Sequence, residues 1–87
     1  MSYLLTTIRL GKKLYSHVKE VKDYIPEYTA CSKNTLYERK NCKDKKAVDN
    51  WIRYYIKATN TNSHKFLMDY EVKEICKEYF PLETEYY

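Results

Sequence analysis

Glycine is nearly missing from this 87-residue chain: there is one, Gly11, beside two prolines and three alanines. A single glycine cannot build a P-loop or a G-x-G-x-x-G turn, where the backbone must approach phosphate closely. Nor can it supply the many tight turns of a β-sandwich. The aliphatic stock is thin as well, since Leu, Ile, Val and Phe total 18 residues, near the level of about 20% at which a highly charged chain stays disordered. Some of the eleven tyrosines must therefore enter the core. No uncharged run approaches the roughly 20 apolar residues that a membrane span needs.

The three cysteines, Cys31, Cys42 and Cys76, are odd in number and lack C-x-x-C spacing, so a complete disulfide framework is excluded and a reducing compartment is expected. Together with His17 and His64 they form no close pair of the kind structural zinc sites use, and no metal or other cofactor is expected. The stretch Met1–Leu10 has neither a basic n-region nor a small-residue cleavage site, and is not read as a signal peptide. The expectation is a cytoplasmic protein without membrane contact.

Apolar positions set the expected elements. Leu4, Ile8, Gly11, Tyr15, Val18 and Ile25 recur at helical spacing, widened by Leu5, Leu14 and Val21, which predicts a long amphipathic helix ending before Pro26. The alternative is a β-hairpin over residues 5–19 with Gly11-Lys12 as its turn, because Ile8, Leu10, Leu14 and Val18 also fit a period of two. Thr35 and Glu38 have the spacing of a capping box and predict a short helix at 36–41. Asp44 caps a second long helix with Val48, Trp51, Ile52 and Tyr55 on one face. Asn60-Thr61-Asn62-Ser63 is a turn by composition. A last helix runs from Leu67 or Met68 through Val72, Ile75, Cys76, Tyr79 and Phe80 to Pro81. With no repeat, linker or boundary, residues 1–87 read as a single, mainly α domain of three to four helices, with an α+β domain carrying the N-terminal hairpin as the alternative. The helical stripes take Tyr15, Tyr55 and Tyr79 into the core.

Charge is polarised along the chain. Residues 1–46 hold eleven basic and five acidic side chains, residues 47–87 five and seven. The densest basic segment carries Lys33, Arg39, Lys40, Lys43, Lys45 and Lys46 around Tyr37, with Trp51, Arg53, Tyr54 and Lys57 following. Lys/Arg clusters bind phosphates with release of counterions, and unstacked bases lie on Tyr or Trp rings. Candidate nucleic-acid ligands are thus Lys33, Tyr37, Arg39, Lys40, Lys43, Lys45, Lys46, Arg53 and Lys57; the bland reading of the same residues is a solvated charged surface. A helix-turn-helix fits poorly, because the joint lacks glycine and the final helix is acidic. Tyr54, Tyr70, Tyr86 and Tyr87 fall off the helical stripes, and exposed tyrosine suits a protein interface. Lys, Arg, His and Tyr are also the groups a metal-free ribonuclease uses, but no spacing singles out an acid–base pair.

In composition the chain resembles the small accessory proteins of large lytic phages of the T4 type: rich in Lys, Asn, Tyr and Ile, poor in glycine and alanine, with reduced cysteines. The resemblance implies a host-takeover or counter-defence protein that binds and inhibits or redirects a host or defence-system protein, sometimes with RNA. It carries no functional residue over. The expected function is a non-enzymatic binder with a basic surface for RNA and a tyrosine-bearing surface for a protein partner or a second copy of itself. A purely protein-binding inhibitor and a small metal-independent ribonuclease are the alternatives.

Overall fold

Gly11 has φ +63°, and the chain reverses there instead of continuing as a helix. Ser2–Leu10 (β1) pairs antiparallel with Lys13–Val21 (β2), from Ser2 opposite Val21 to Leu10 opposite Lys13, so Gly11 and Lys12 are a two-residue turn. Among the described non-glycine residues only Asn60 has positive φ, so the left-handed residue is the first of the two, where glycine suits the hairpin turn that matches strand twist. The computed structural model describes residues 2–61 and 63–80. Its remaining elements are β3 (Tyr28–Cys31), β4 (Thr35–Cys42), α1 (Lys45–Thr59), β5 (Ser63–Phe66) and α2 (Asp69–Tyr79).

The five strands form one sheet in the order β3-β4-β1-β2-β5, antiparallel except for β5, which lies parallel to β2. α1 covers one face: Val48 and Ile52 cluster with Leu5 and Cys42. α2 covers the other, where Val72 and Cys76 cluster with Ile8, Tyr37 and Leu67. The architecture is α+β, and the expectation of a mainly helical domain is overturned. The alternative hairpin is present, two to three residues longer at each end than residues 5–19.

The central strand explains the error. Leu4, Leu5, Thr6, Thr7 and Ile8 are all buried to within 1%, because both faces of β1 are covered. A strand buried on two sides loses the alternation that distinguishes it from a helix. The predicted helix at 36–41 is likewise strand β4, with Thr35 opposite Leu10 and Glu38 opposite Thr7. Thr35 and Glu38 have capping-box spacing without a helix to cap. Strand β5 was not anticipated, since Ser-His-Lys-Phe is too short to show a period.

Both expected C-terminal helices are present. Asp44 caps α1, its Oδ1 accepting from Ala47 N–H at 2.8 Å, and Asn60 ends it in the left-handed conformation at φ 50°. α2 starts at Met68, which has no capping oxygen; the Glu71 carboxylate accepts from Met68 N–H at 3.0 Å instead. No helix among the described residues is long and apolar enough to cross a membrane.

Candidate nucleic-acid interface

The sheet divides the expected basic cluster. Alternate residues of β4 point to opposite faces, so Tyr37 and Arg39 lie under α2 while Lys40 lies under α1. Tyr37 is fully buried and Arg39 is 4% exposed, with the guanidinium carbon 5.4 Å from the Tyr28 ring and 5.9 Å from the Tyr37 ring. Neither offers a surface to a base or phosphate, so both expected ligands belong to the interior. Tyr37 is the core tyrosine that composition demanded; of the three expected there, Tyr55 is buried, Tyr15 half-buried and Tyr79 exposed. Lys33 sits exposed in the β3–β4 turn, separated from Lys43 by the length of β4, about 25 Å at strand rise.

What comes together is the outer side of α1. Val48, Ile52 and Tyr55 face the sheet, and the opposite line, at i, i+4, i+7 and i+11, is Lys46, Asn50, Arg53 and Lys57, all exposed. This line is about 16 Å long at 1.5 Å per residue. Asp49 is the one acidic residue on the helix. Lys43 and Lys45 add two exposed cations at its N-terminal end. Lys46, Arg53 and Lys57 are among the ligands expected from the sequence; Asn50, which completes the line, is not.

Beside the basic line is an open concavity of about 450 Å³ lined by Ala47, Asn50, Trp51 and Tyr54. Helical spacing creates it: these residues recur at i, i+3, i+4 and i+7, and small Ala47 leaves the space that the aromatic rings border. Lys40 Nζ stands 4.5 Å from the Trp51 ring centroid and 3.8 Å from Glu38 Oε1. Tyr55 stacks on Trp51 at 5.8 Å, and Tyr54 meets it edge-on at 5.5 Å. Trp51 is thus braced, whereas Tyr54 is 57% exposed.

The expected partner tyrosines do not form one surface. Tyr54 is on α1 and Tyr70 on α2, across the sheet from each other; Tyr86 and Tyr87 lie outside the described residues. A different apolar pair, unforeseen in the sequence, lies at the β5–α2 connection, where Met68 and Tyr70 are each more than half exposed; Phe66, exposed as well, is on the opposite face of β5 against His64. The pair borders a second concavity of about 620 Å³ that includes His17 and Asp69.

Two histidine pairs lie near this connection. His17 Nε2 is 2.6 Å from Asp69 Oδ1, and that bond holds the Asp69 carboxyl below its ordinary range. With His17 buried and Asp69 exposed, the pair fastens the first turn of α2 to β2. On the other face, His64 Nε2 is 2.9 Å from Ser16 Oγ. Burial lowers the His64 pKa, and Ser16 is 1% exposed, so this serine hydroxyl is shut away from a substrate and the pair secures edge strand β5. Burial first, and Glu27 second, raises the Cys42 thiol, which suits a packed thiol and not a nucleophile. Among the described residues no group of three or more His, Cys, Asp or Glu is placed to hold a metal ion.

Comparison with protein-family models, curated proteins and solved structures finds no match for this chain.

Proposed function

We propose that this is a non-enzymatic binding protein whose α1 surface engages single-stranded nucleic acid, RNA being the first candidate. One observation carries the reading: Lys46, Asn50, Arg53 and Lys57 form an exposed line directly beside the Asn50–Trp51–Tyr54 concavity. Cations in a row neutralise successive phosphates, and adjoining aromatic rings accept bases whatever their identity. The ligand set is therefore Lys43, Lys45, Lys46, Arg53 and Lys57 with Trp51 and Tyr54, and Lys40 acts from beneath as a brace for Trp51. The compositional likeness to phage accessory proteins fits a binder that works by occupying a surface.

The test is charge reversal. Lys46→Glu, Arg53→Glu and Lys57→Glu together are expected to weaken binding of a single-stranded RNA at least about 50-fold near physiological salt, since each single-strand phosphate contact adds about 0.7 to the log–log salt slope. Lys73→Glu with Lys77→Glu on α2 serves as the control and leaves binding within twofold. Shallow salt dependence and silent α1 reversals would overturn the reading in favour of a purely protein-binding inhibitor. The exposed Met68 and Tyr70, together at the start of α2, are the observation favouring that second reading, since aromatic residues and methionine are enriched in interfaces.

A further inference from the structure

We infer that β3 is a docking edge for a second copy of this chain: two β3 strands pair antiparallel about a two-fold axis at Thr29, joining two five-stranded sheets into one of ten.

Two turn bonds fix which backbone groups of β3 point outward. Ser32 N–H donates to Thr35 C=O at 3.0 Å and Gly11 N–H to Asn34 C=O at 2.8 Å, so the odd-numbered residues of β4 turn their backbone groups to β3 and the even-numbered ones to β1. Tyr28 lies opposite Arg39 and Ala30 opposite Tyr37, and these pairs exchange the ladder bonds. Backbone groups alternate in side along a strand. Those of Thr29 and Cys31 therefore point away from the sheet, and both residues are exposed.

Open strand edges invite pairing with another chain unless charge, proline or a covering segment blocks them. Elsewhere on this sheet they are blocked: β5 carries exposed Lys65, the length of β2 beyond β5 carries exposed Lys19 and Glu20, and beyond β3 the Asn41 N–H on β4 donates to the Glu27 carboxylate at 2.9 Å. The strand β3 reads Tyr-Thr-Ala-Cys, with neither charge nor proline.

The edge is also complementary to itself. With Thr29 on the axis, Tyr28 of each copy stands opposite Ala30 of the other, in the non-hydrogen-bonded position where side chains come closest. A large ring meets a small neighbour, twice by symmetry. On the other face threonine meets threonine, a favourable cross-strand pair. Centring the axis on Ala30 would instead set alanine against alanine and Tyr28 against Ser32 in the turn. The pairing is isologous and closes at two copies. Its axis is perpendicular to the sheet, so both α1 helices lie on one side and the proposed basic surface is doubled without being covered.

A short strand buries little area, so the dimer is weak and depends on concentration. Sedimentation velocity of the full chain in reducing buffer is expected to show monomer giving way to dimer in the upper micromolar range, with no larger species. Thr29→Lys puts like charges directly opposite each other and should raise the midpoint concentration about fivefold or more. Thr29→Pro removes an outward N–H while sparing the β3–β4 ladder, and should abolish the dimer; Thr29→Lys carries the test if the proline variant fails to fold. Thr29→Val, which loses only the 2.8 Å hydroxyl bond to Glu38, should dimerise as wild type does. Mild oxidation checks the register. Thr29→Cys in a Cys31→Ser background should form an interchain disulfide, since opposed Cα atoms of a hydrogen-bonded pair stand about 5.5 Å apart. Native Cys31, about 13 Å along the strand from its twin, should cross-link far more slowly. A chain that stays monomeric throughout, a dimer indifferent to both Thr29→Lys and Thr29→Pro, growth beyond two copies, or faster oxidation through native Cys31 than through the Thr29→Cys thiol would each overturn the inference.

Discussion

α1 carries Lys45, Lys46, Arg53 and Lys57 against Asp49, whereas α2 carries Asp69, Glu71, Glu74 and Glu78 against Lys73 and Lys77. The two helices cover opposite faces of one sheet, so a modest net charge of +4 resolves into a basic side and an acidic side. Aromatic residues divide in the same way. On the α2 side Tyr37 is sunk between Ile8 and Val72 as core, while on the α1 side Tyr54 stands in solvent beside Trp51. A tyrosine a few residues from several lysines therefore says nothing of its role until the face it occupies is known.

The largest test of this contrast is to remove one ring from each side. Tyr37→Ala is expected to destabilise by about 3–5 kcal/mol, as aromatic truncations in cores do, a large part of the roughly 5–15 kcal/mol that holds a domain together. Tyr54→Ala should stay within about 0.5 kcal/mol, the usual range for an exposed site, and show its effect in nucleic-acid binding alone. Urea midpoints measure both; a Tyr54→Ala midpoint as low as that of Tyr37→Ala would erase the distinction.

A smaller difference separates the helix starts. Asp44→Ala should cost about 1 kcal/mol by deleting the 2.8 Å bond to Ala47 N–H, a typical N-cap loss. Met68→Ser should stabilise by up to about 1 kcal/mol, because it supplies the missing cap oxygen at an exposed position. Thermal midpoints that do not move apart would show that tertiary packing, and not capping, sets both starts.

The smallest expected effect is on pH. His64, on the α1 side of the sheet, is held by burial below its ordinary 6.5, so the folded state resists a proton that the unfolded chain accepts. Stability is full above that pH and declines as pH falls below 6.5 toward the lowered folded value; His64→Gln should flatten this part of the profile. Asp69, on the α2 side, is held below its ordinary 3.8 by the bond to His17. Its contribution is present above 3.8 and is lost as pH falls through the still lower folded value, and Asp69→Asn should remove it. Denaturation midpoints against pH would thus lose the His64 contribution first and the Asp69 contribution only at lower pH.

These contrasts also mark what the sequence could convey. Asp44 and the Val48–Ile52–Tyr55 stripe located α1, and Val72, Ile75, Cys76 and Pro81 located α2, because a helix with one face in solvent has an unmistakable period. Gly11-Lys12 offered the hairpin as an alternative, yet Leu4, Leu5 and Ile8 fit a helix equally well when every position from Leu4 to Ile8 is buried. Strand β4 is also largely buried on both sides, but its sequence, Thr-Leu-Tyr-Glu-Arg-Lys-Asn-Cys, looks like a polar surface. Tyr37 belongs to the interior because α2, thirty residues further along, packs Val72 and Cys76 against it, and Arg39 on the same face lies against the Tyr28 and Tyr37 rings. The cations of the α1 line, Lys46, Arg53 and Lys57, were legible as part of the expected basic set, while the concavity beside them depends on where Lys40 and Tyr55 hold Trp51.

The arrangement of the sheet sets the order in which these surfaces come into being. Strands β1 to β4 are complete at Cys42 and form an antiparallel sheet among themselves, to which β5 adds later beside β2, so in chain order the sheet precedes both helices that cover it. Without them Leu5 and Ile8 are both uncovered, on opposite sides. α1 shields the first as it is synthesised; the second waits for the last helix. A chain from which α2 is missing would therefore leave Ile8 and Tyr37 uncovered on that side, apolar surface of the kind that drives association of incompletely folded chains.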